Sequence, residues 1–285
     1  MARNIKEYGP WAIITGASSG IGAGFARRLV HEGLHVVLVG RRRPALNELA
    51  TELQAHGAQT RVVVQDLAEP GAAQAVLDAT EDLDVGVLVS NAGAGRMGGF
   101  LQNDAAALRS MLALNVIAQM ELSHGFTTRL RRSGRHGGLL LVSSTAALQP
   151  VALGANYSAA KAYILNLGES LNAELRPLGI DVTVLVPGPT NTPGLNARDD
   201  IDMGSLPVPA MSVDAVVGEG LDALRRHRPR RVAGLVNRWM ARLTPRALGG
   251  KIFGGMMGRI APPRLRASAP LALPAGDVPQ IRAVG

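Results

Sequence analysis

AIITGASSGIG, at residues 12–22, is the stretch that decides the fold of this chain. Its first four residues form a short, mostly apolar run, and apolar residues then recur at helical spacing over residues 21–30. This pattern predicts a strand, a glycine-rich turn and a helix. A helix that begins at such a turn points unpaired backbone N–H groups at a pyrophosphate, and Gly16, Gly20 and Gly22 allow the backbone to approach it.

Strand and helix patterns alternate along the rest of the chain. Strands are predicted at residues 35–39, 61–64, 85–89, 139–142, 181–186 and 231–233. Helices are predicted at residues 44–56, 70–79, 104–132, 157–175 and 213–225. Alternation at this spacing is typical of parallel βαβ units, so we predict an α/β fold, a doubly wound parallel sheet of the Rossmann type with helices on both faces. Ligands of such sheets bind at the carboxyl ends of the strands.

The composition limits the class of protein. The 285 residues are 47% hydrophobic and 18% charged, which is typical of a globular chain with one large α/β domain. Cysteine is absent, so disulfides, thiolate catalysis and cysteine-based zinc sites are excluded, and a reducing, cytoplasmic location is expected. The first ten residues lack the apolar segment of a secretory signal, and no apolar run reaches the ~18 residues that cross a bilayer. The six histidines are scattered, so no metal site is expected.

Three regions are predicted: a catalytic domain over residues 1–234 with an irregular, partly apolar substrate lid at 193–212, a basic amphipathic helical extension over 235–260, and a disordered tail over 261–285. The acidic pair in the lid, Asp199 and Asp200, is expected to lie in a solvated loop.

The basic charge is concentrated near the C-terminus. Residues 223–276 contain twelve Lys and Arg and no Asp or Glu, so the remainder carries −4 of the total net charge of +8. An apolar stripe at helical spacing is formed there by Leu235, Val236, Trp239, Met240 and Leu243. One interpretation is a helix packed on the core or on a partner subunit, and another is peripheral membrane contact, with the stripe inserted among anionic lipids. Nucleic acid is disfavoured as a partner, because no base-stacking aromatic residues lie between the arginines.

A potential acid-base pair lies in the predicted helix at residues 157–175. Tyr157 and Lys161 are four residues apart and therefore share one helix face. An ammonium beneath a phenol makes the phenol a better proton donor and acceptor at neutral pH. Ser144 precedes Tyr157 by thirteen residues. The spacing therefore indicates general acid-base chemistry.

With these motifs, the chain resembles the short-chain dehydrogenase/reductase family over about residues 10 to 234. The matching residues occur in the family's order: Thr15 to Gly22, Asp66, Asn91, Ala92, Gly93, Asn115, Ser144, Tyr157, Lys161, Pro187, Gly188 and Thr192. The chain departs from the family at Ser90, where many relatives carry a second Asn, and a changed backbone contact is expected there.

The resemblance implies roles for these residues. The implied catalytic residues are Asn115, Ser144, Tyr157 and Lys161. The implied cofactor-binding residues are Thr15, Gly16, Ser18, Ser19, Gly20, Ile21, Gly22, Arg41, Arg42, Asp66, Leu67, Asn91, Ala92, Gly93, Tyr157, Lys161, Pro187, Gly188, Thr190 and Thr192. The thirteen-residue step to the tyrosine selects Ser144 rather than Ser143 as the donor to the substrate carbonyl. Asn115, in a helix kink, is expected to hold a water that leads to Lys161.

The cofactor preference is predicted from charge at the end of the second strand. An NAD-selective site places a carboxylate there, which binds the ribose hydroxyls. This chain instead has Gly40 followed by Arg41, Arg42 and Arg43. Because a guanidinium is a forked, charged donor that suits a phosphate, NADP is predicted.

The resemblance implies an NADP(H)-dependent oxidoreductase that interconverts a carbonyl and a secondary alcohol by hydride transfer. The apolar lid favours a hydrophobic small-molecule substrate, such as a ketoacyl or steroid-like ketone. The alternative is a catalytically inactive NADPH-binding regulator or scaffold. Many family members form dimers or tetramers, so a homo-oligomer is expected.

Overall fold

The computed structural model describes residues 3–197, 200 and 208–243. Within this part of the chain, seven strands form one parallel sheet in the order β3-β2-β1-β4-β5-β6-β7. The strands are β1 (Trp11–Thr15), β2 (His35–Gly40), β3 (Thr60–Val64), β4 (Val85–Ser90), β5 (Gly137–Val142), β6 (Ile180–Val186) and β7 (Arg230–Val232). The order reverses between β1 and β4, which creates a crevice at the carboxyl ends of these two strands.

Helices cover both faces of the sheet. They are α1 (Gly20–His31), α2 (Arg43–Ala55), α3 (Ala72–Asp78), α4 (Ala105–Leu112), α5 (Ala118–Arg132), α6 (Ala155–Leu175), α7 (Pro193–Asn196), α8 (Val213–Arg225) and α9 (Leu235–Leu243). The predicted elements are present, with ends that differ by one or two residues, and the predicted fold class is confirmed. None of the described helices is long and apolar enough to cross a membrane.

Two hydrophobic layers hold the helices on the sheet. Ile14 packs with α1, α2 and α8 on one face, whereas its neighbour Ile13 packs with α3, α5 and α6 on the other. Leu140 and Leu139 alternate between the two layers in the same way. Because both faces are covered, the strands are continuous apolar runs rather than alternating ones.

A π-helical turn joins α4 to α5. Asp104 caps the N-terminus of α4 by accepting a hydrogen bond from the Ala107 backbone N–H, and the π turn spans Ala113–Ile117. The predicted long helix is therefore present, and the π turn is the kink expected at Asn115.

A buried ionic cluster ties the N-terminus to the amino edge of the sheet. The Asp181 carboxylate, at the start of β6, accepts hydrogen bonds from the Tyr8 hydroxyl at 2.9 Å and from the Arg3 guanidinium at 3.0 Å. His227 Nδ1 lies 2.6 Å from the other oxygen. Burial and the Asp181 charge raise the pKa of Tyr8 above its ordinary value. The cluster fixes the end of the sheet opposite to the crevice.

The C-terminal helix α9 does not pack its apolar stripe on the core, as one of the two interpretations of the sequence expected. Its inward side contains Asn237, which is 7% exposed, and Arg238, which pairs with Glu219 at 2.8 Å. Most of the predicted stripe faces outward: Leu235, Val236, Trp239 and Leu243 are 55–71% exposed. The predicted extension beyond Leu243, the tail at 261–285 and residues 198–199 and 201–207 of the lid lie outside the described residues.

Candidate active site

A cavity of about 720 Å³ opens at the carboxyl edge of the sheet. Most of the predicted cofactor-binding residues line it: Gly16, Ser18, Ser19, Gly20, Ile21, Arg41, Arg42, Asp66, Leu67, Asn91, Ala92, Gly93, Tyr157, Lys161, Pro187, Gly188, Thr190 and Thr192. Ser144 also lines the cavity. Three of the predicted residues do not line the cavity: Thr15, Gly22 and Asn115. They can affect a ligand only by positioning the residues that do.

Thr15 links the glycine-rich turn to the loop after β4. Its hydroxyl oxygen accepts hydrogen bonds from the backbone N–H groups of Asn91 and Ala92, each at 2.9 Å, and the Asn91 amide donates to the Thr15 carbonyl at 2.9 Å. Gly22 allows α1 to cross the turn, because a Cβ there would lie 2.2 Å from the Gly16 carbonyl oxygen. These contacts fix the glycine-rich turn, at the N-terminus of α1, against the loop after β4.

Two arginines lie at the rim of the cavity, next to the end of β2. The Arg42 guanidinium donates to the backbone oxygen of Ser18 at 3.2 Å and to its hydroxyl at 3.3 Å. Arg41 is 3.5 Å from the Asp66 carboxylate, and its side chain is 69% exposed. Both cations therefore remain accessible to a phosphate beside the phosphate-binding turn.

Tyr157 and Lys161 lie together on the cavity side of α6. Lys161 Nζ is 5.9 Å from the centroid of the Tyr157 ring and donates a hydrogen bond to the Val142 carbonyl at 3.0 Å. Burial lowers the pKa of Lys161 from 10.5 to about 8, because the ammonium is removed from water. The pair therefore combines a phenol with a nearby cation that titrates close to neutral pH.

The two serines after β5 occupy different environments. Ser143 is buried, and its hydroxyl donates to the Lys161 carbonyl at 2.7 Å, so it contributes to holding α6 against the sheet. Both serines line the cavity, and the Ser144 hydroxyl accepts a hydrogen bond from the Ala146 N–H at 3.2 Å. The geometry is compatible with the prediction that Ser144 is the donor to a ligand.

Asn115 projects from the π turn towards Lys161. Its amide nitrogen donates to the carbonyls of Ala94, at 2.8 Å, and Met111, at 2.9 Å. Its Oδ1 atom is buried and accepts no hydrogen bond from the described parts of the chain. A Cβ on Gly93 would lie 2.7 Å from this oxygen and 3.1 Å from Lys161 Nζ. Gly93 therefore keeps clear the space between Asn115 and Lys161.

Comparison with known proteins identifies the family. A family model described as short chain dehydrogenase matches residues 10–201. The chain belongs to this family.

This short-chain dehydrogenase is similar to several characterised proteins. It is 34% identical over 194 residues to a 7beta-hydroxysteroid dehydrogenase of Collinsella aerofaciens, which covers 67% of this chain and 73% of the relative. It is 30% identical over 232 residues to a very-long-chain 3-oxoacyl-CoA reductase of Podospora anserina, which covers 77% of this chain and 67% of the relative. A solved short-chain dehydrogenase from Sphingobium yanoikuyae in complex with NADPH has a TM-score of 0.75 and 35% identity, and covers 81% and 91% of the two chains.

In this short-chain dehydrogenase, α9 also contributes to the wall of the cavity, in addition to the motifs predicted from the sequence. Asn237, Met240 and Ala241 line the cavity, and Asn237 packs directly on Gly188, where a Cβ would lie 2.5 Å from the asparagine Nδ2. Sequence reasoning did not include these residues in the site. The only available signal was that they lie on a predicted helix, because their position depends on how that helix packs after β7.

Asp200 also differs from its sequence-based expectation. Its carboxylate accepts a hydrogen bond from the Met97 backbone N–H at 2.7 Å, across the mouth of the cavity. Asp200 lies in a loop as expected, but its half-buried carboxylate is hydrogen-bonded rather than fully solvated, and Asp199 lies outside the described residues. Among the residues that the structure describes, no cluster of His, Cys, Asp and Glu forms a metal site.

Proposed function

We propose that the protein is an NADP(H)-dependent oxidoreductase that interconverts a ketone and a secondary alcohol. The observation that carries the proposal is the convergence of Ser144, Tyr157 and Lys161 on one cavity whose other end is the glycine-rich turn. Nothing in the fold alone requires a hydroxyl, a phenol and a buried ammonium at this place.

The residues at the glycine-rich end fit a dinucleotide phosphate. Gly16 and Gly20 have positive φ angles of 66° and 56°, and added Cβ atoms would lie 2.9 Å from Asn91 Nδ2 and 3.0 Å from Thr192 Cγ2, so side chains would fill the cradle. Arg41 and Arg42 would hold the ribose phosphate that distinguishes NADP from NAD. The relative of known structure that binds NADPH supports the same choice. When bound, NADP(H) supplies or accepts the hydride.

The residues of the chain supply the proton and the polar contacts for reduction. The Tyr157 hydroxyl donates its proton to the carbonyl oxygen, and the Ser144 hydroxyl donates a hydrogen bond to the same atom as negative charge develops on it. The Lys161 ammonium favours the phenolate that remains. Asn115 Oδ1, which is buried and accepts no hydrogen bond from the described residues, would accept one from a water that connects it to Lys161.

The apolar part of the cavity favours a large hydrophobic ketone. The walls away from the glycine-rich turn include Met97, Leu148, Val151, Val208 and Met240. The hydroxysteroid dehydrogenase and 3-oxoacyl-CoA reductase among the relatives support steroid-like and ketoacyl compounds as the substrate classes. An NADPH-oxidation screen over ketosteroids, ketoacyl thioesters and small aldehydes would identify the class.

Substitution of the tyrosine tests the proposal directly. Tyr157→Phe should lower kcat by at least about 10²-fold, because the proton donor is lost, while NADPH affinity stays close to that of the native protein. Tyr163→Phe is the matched control, since Tyr163 lies on the same helix, is 44% exposed and does not line the cavity. A Tyr157→Phe variant with near-native turnover would contradict the assignment. A native protein that binds NADPH but reduces no ketone would support the inactive regulator instead.

The finer expectations on assembly and location remain proposals. Exposed apolar side chains at Leu112 and Ile117, around the junction of α4 and α5, support a homo-oligomer through this face. Light scattering on the native protein and on Ile117→Lys would test it, with a smaller mass expected for the variant. The absence of cysteine supports a cytoplasmic location. The division between a catalytic domain at 1–234 and a basic extension from 235 stays a prediction.

The exposed face of α9 supports contact with an anionic membrane. Trp239 and Leu243 are 59% and 71% exposed, and the exposed Arg242 lies beside them on the helix. Apolar insertion combined with basic charge is the usual basis of peripheral binding. Co-sedimentation with vesicles that contain phosphatidylserine should be reduced in Trp239→Gln, and equal sedimentation of the two proteins would count against the contact.

A further inference from the structure

A second cavity, of about 490 Å³, lies along the edge strand β7, between the C-terminal end of α8 and α9. Its walls are strongly basic. Six arginines line it: Arg226, Arg228, Arg230, Arg231, Arg238 and Arg242. Asp222 is the acidic residue among the described lining. None of the residues proposed for catalysis or for the cofactor lines this cavity.

Carboxylates neutralise only part of this charge. Asp222 pairs with Arg226 at 2.7 Å, and Glu169 pairs with Arg230 at 3.4 Å. Glu219 is shared by two arginines, with distances of 2.7 Å to Arg231 and 2.8 Å to Arg238.

The remaining two arginines of the cavity come from two different segments of the chain. Arg228 precedes β7 and Arg242 is near the end of α9, and neither forms an ion pair within residues 3–197, 200 and 208–243. Six guanidinium groups thus face three carboxylates, which leaves a net positive charge of three around the cavity. A cavity with this balance has an unused capacity to bind an anion.

The basic cavity adjoins the proposed substrate cavity. Leu148 and Ala241 line both, so the two cavities meet at these residues. An elongated molecule whose ketone lies near Tyr157 and whose apolar body contacts Leu148 would extend towards the arginines. The cofactor phosphates are accounted for elsewhere, at the glycine-rich turn and at Arg41.

We propose that the basic cavity binds an anionic group of the substrate, so that the preferred substrate is a large apolar ketone with a terminal carboxylate or phosphate. This inference rests on the proposed reductase function. A guanidinium donates two parallel hydrogen bonds to either group, which gives orientation as well as attraction. A second copy of the chain fits less well, because two surfaces of this charge repel each other.

Matched substrates test the inference. One is a ketosteroid whose side chain ends in a carboxylate, and the other is the methyl ester of the same compound. In the native protein at low salt, kcat/KM should be about tenfold higher for the acid, which corresponds to ~1.4 kcal/mol. In Arg228→Gln/Arg242→Gln the ratio should fall to about one. The same loss of charge in Arg131→Gln/Arg132→Gln, at exposed positions on α5, should leave the ratio high.

Binding measurements separate this inference from the reductase function. Isothermal titration calorimetry of the acid and the ester with the native protein should show about a tenfold difference in Kd that is lost in Arg228→Gln/Arg242→Gln. Equal Kd values for acid and ester in the native protein would overturn the anion site, even if the ester is reduced efficiently. Tight binding of the acid without turnover of either compound would instead uphold the anion site and contradict the reductase. Tenfold preference that survives in the double variant would show that other residues hold the anion.

Discussion

Deprotonation of Lys161 should occur near pH 8 rather than near 10.5 in the ligand-free protein. The side chain is 4% exposed, and within the described residues its ammonium has one hydrogen bond, to the Val142 carbonyl, so little replaces the water lost on burial. A pKa lowered from 10.5 to about 8 corresponds to ~3 kcal/mol that favours the neutral amine in the folded state. The ammonium that supports Tyr157 is consequently lost as the pH rises through about 8.

The lowered pKa of Lys161 also predicts how the free energy of unfolding changes with pH. Below pH 8 both native and unfolded chains carry the proton, and the native state bears the full cost of the buried charge. Between pH 8 and 10.5 the unfolded chain binds a proton that the native chain does not, so stability rises with pH. Relative to Lys161→Met, the native protein should gain about 2–3 kcal/mol in free energy of unfolding between pH 7 and pH 10. The difference between the two proteins cancels the titrations that they share.

Nuclear magnetic resonance can observe this titration with little overlap. The chain contains three lysines, at positions 6, 161 and 251, so a sample labelled with carbon-13 at the lysine Cε atoms gives three signals. The signal that is missing in Lys161→Met is that of Lys161. Urea-denatured protein supplies the reference midpoint for the unfolded chain.

Two results would refute the reasoning. One is a midpoint for Lys161 close to that of the denatured chain, which would mean that the ammonium is better solvated than its burial implies. The other is a stability difference between native protein and Lys161→Met that does not change between pH 7 and pH 10. If Lys161 loses its proton near pH 8, turnover should fall above that pH because Tyr157 loses the support of the ammonium. Either result would remove the basis for this expectation.

Three further substitutions test separate parts of the molecule. Gly93→Ala places a Cβ 2.7 Å from Asn115 Oδ1, so we expect kcat to fall by about 10–100-fold; near-native kcat in a stopped-flow assay would contradict the role of that space. Asp181→Asn should lower the free energy of unfolding by about 2 kcal/mol in urea denaturation, because the buried Tyr8 hydroxyl and the partly buried Arg3 lose a charged acceptor, and kcat of the folded fraction should not change. Arg41→Asp should lower the NADPH-to-NADH ratio of kcat/KM by at least about tenfold, and an unchanged ratio would move the phosphate contact to another residue.

Local sequence patterns were sufficient for most of the fold and for the placement of the candidate site. The four-residue step from Tyr157 to Lys161 survives in the structure because it depends only on the geometry of one helix. The preference for Ser144 over Ser143 stays a prediction: both serines line the cavity, and they differ in that the Ser143 hydroxyl donates a hydrogen bond to the Lys161 carbonyl.

The features that sequence patterns did not reveal depend on contacts between distant segments. The contact between Asp200 and Met97 joins two loops that are 103 residues apart. The sequence left open whether the apolar stripe of α9 is buried or exposed, and in the structure Met240 faces the cavity beside Asn237 while Leu235, Trp239 and Leu243 are exposed. Periodicity identifies the faces of a helix, and the surrounding structure decides which of them faces inward.

The π turn at Ala113–Ile117 has a consequence for insertions and deletions in this part of the chain. A π turn contains one residue more than the α-helical turn it replaces, and each residue in a helix rotates the following side chains by about 100°. Deletion of one residue here would let α4 and α5 merge into an unbroken α-helix, so the fold would tolerate it. Asn115 would no longer point at Lys161. Under the proposed mechanism, a length change of a single codon therefore separates a folded chain from one that also places Asn115 beside Lys161, and alignments of relatives should be read for gaps at this turn.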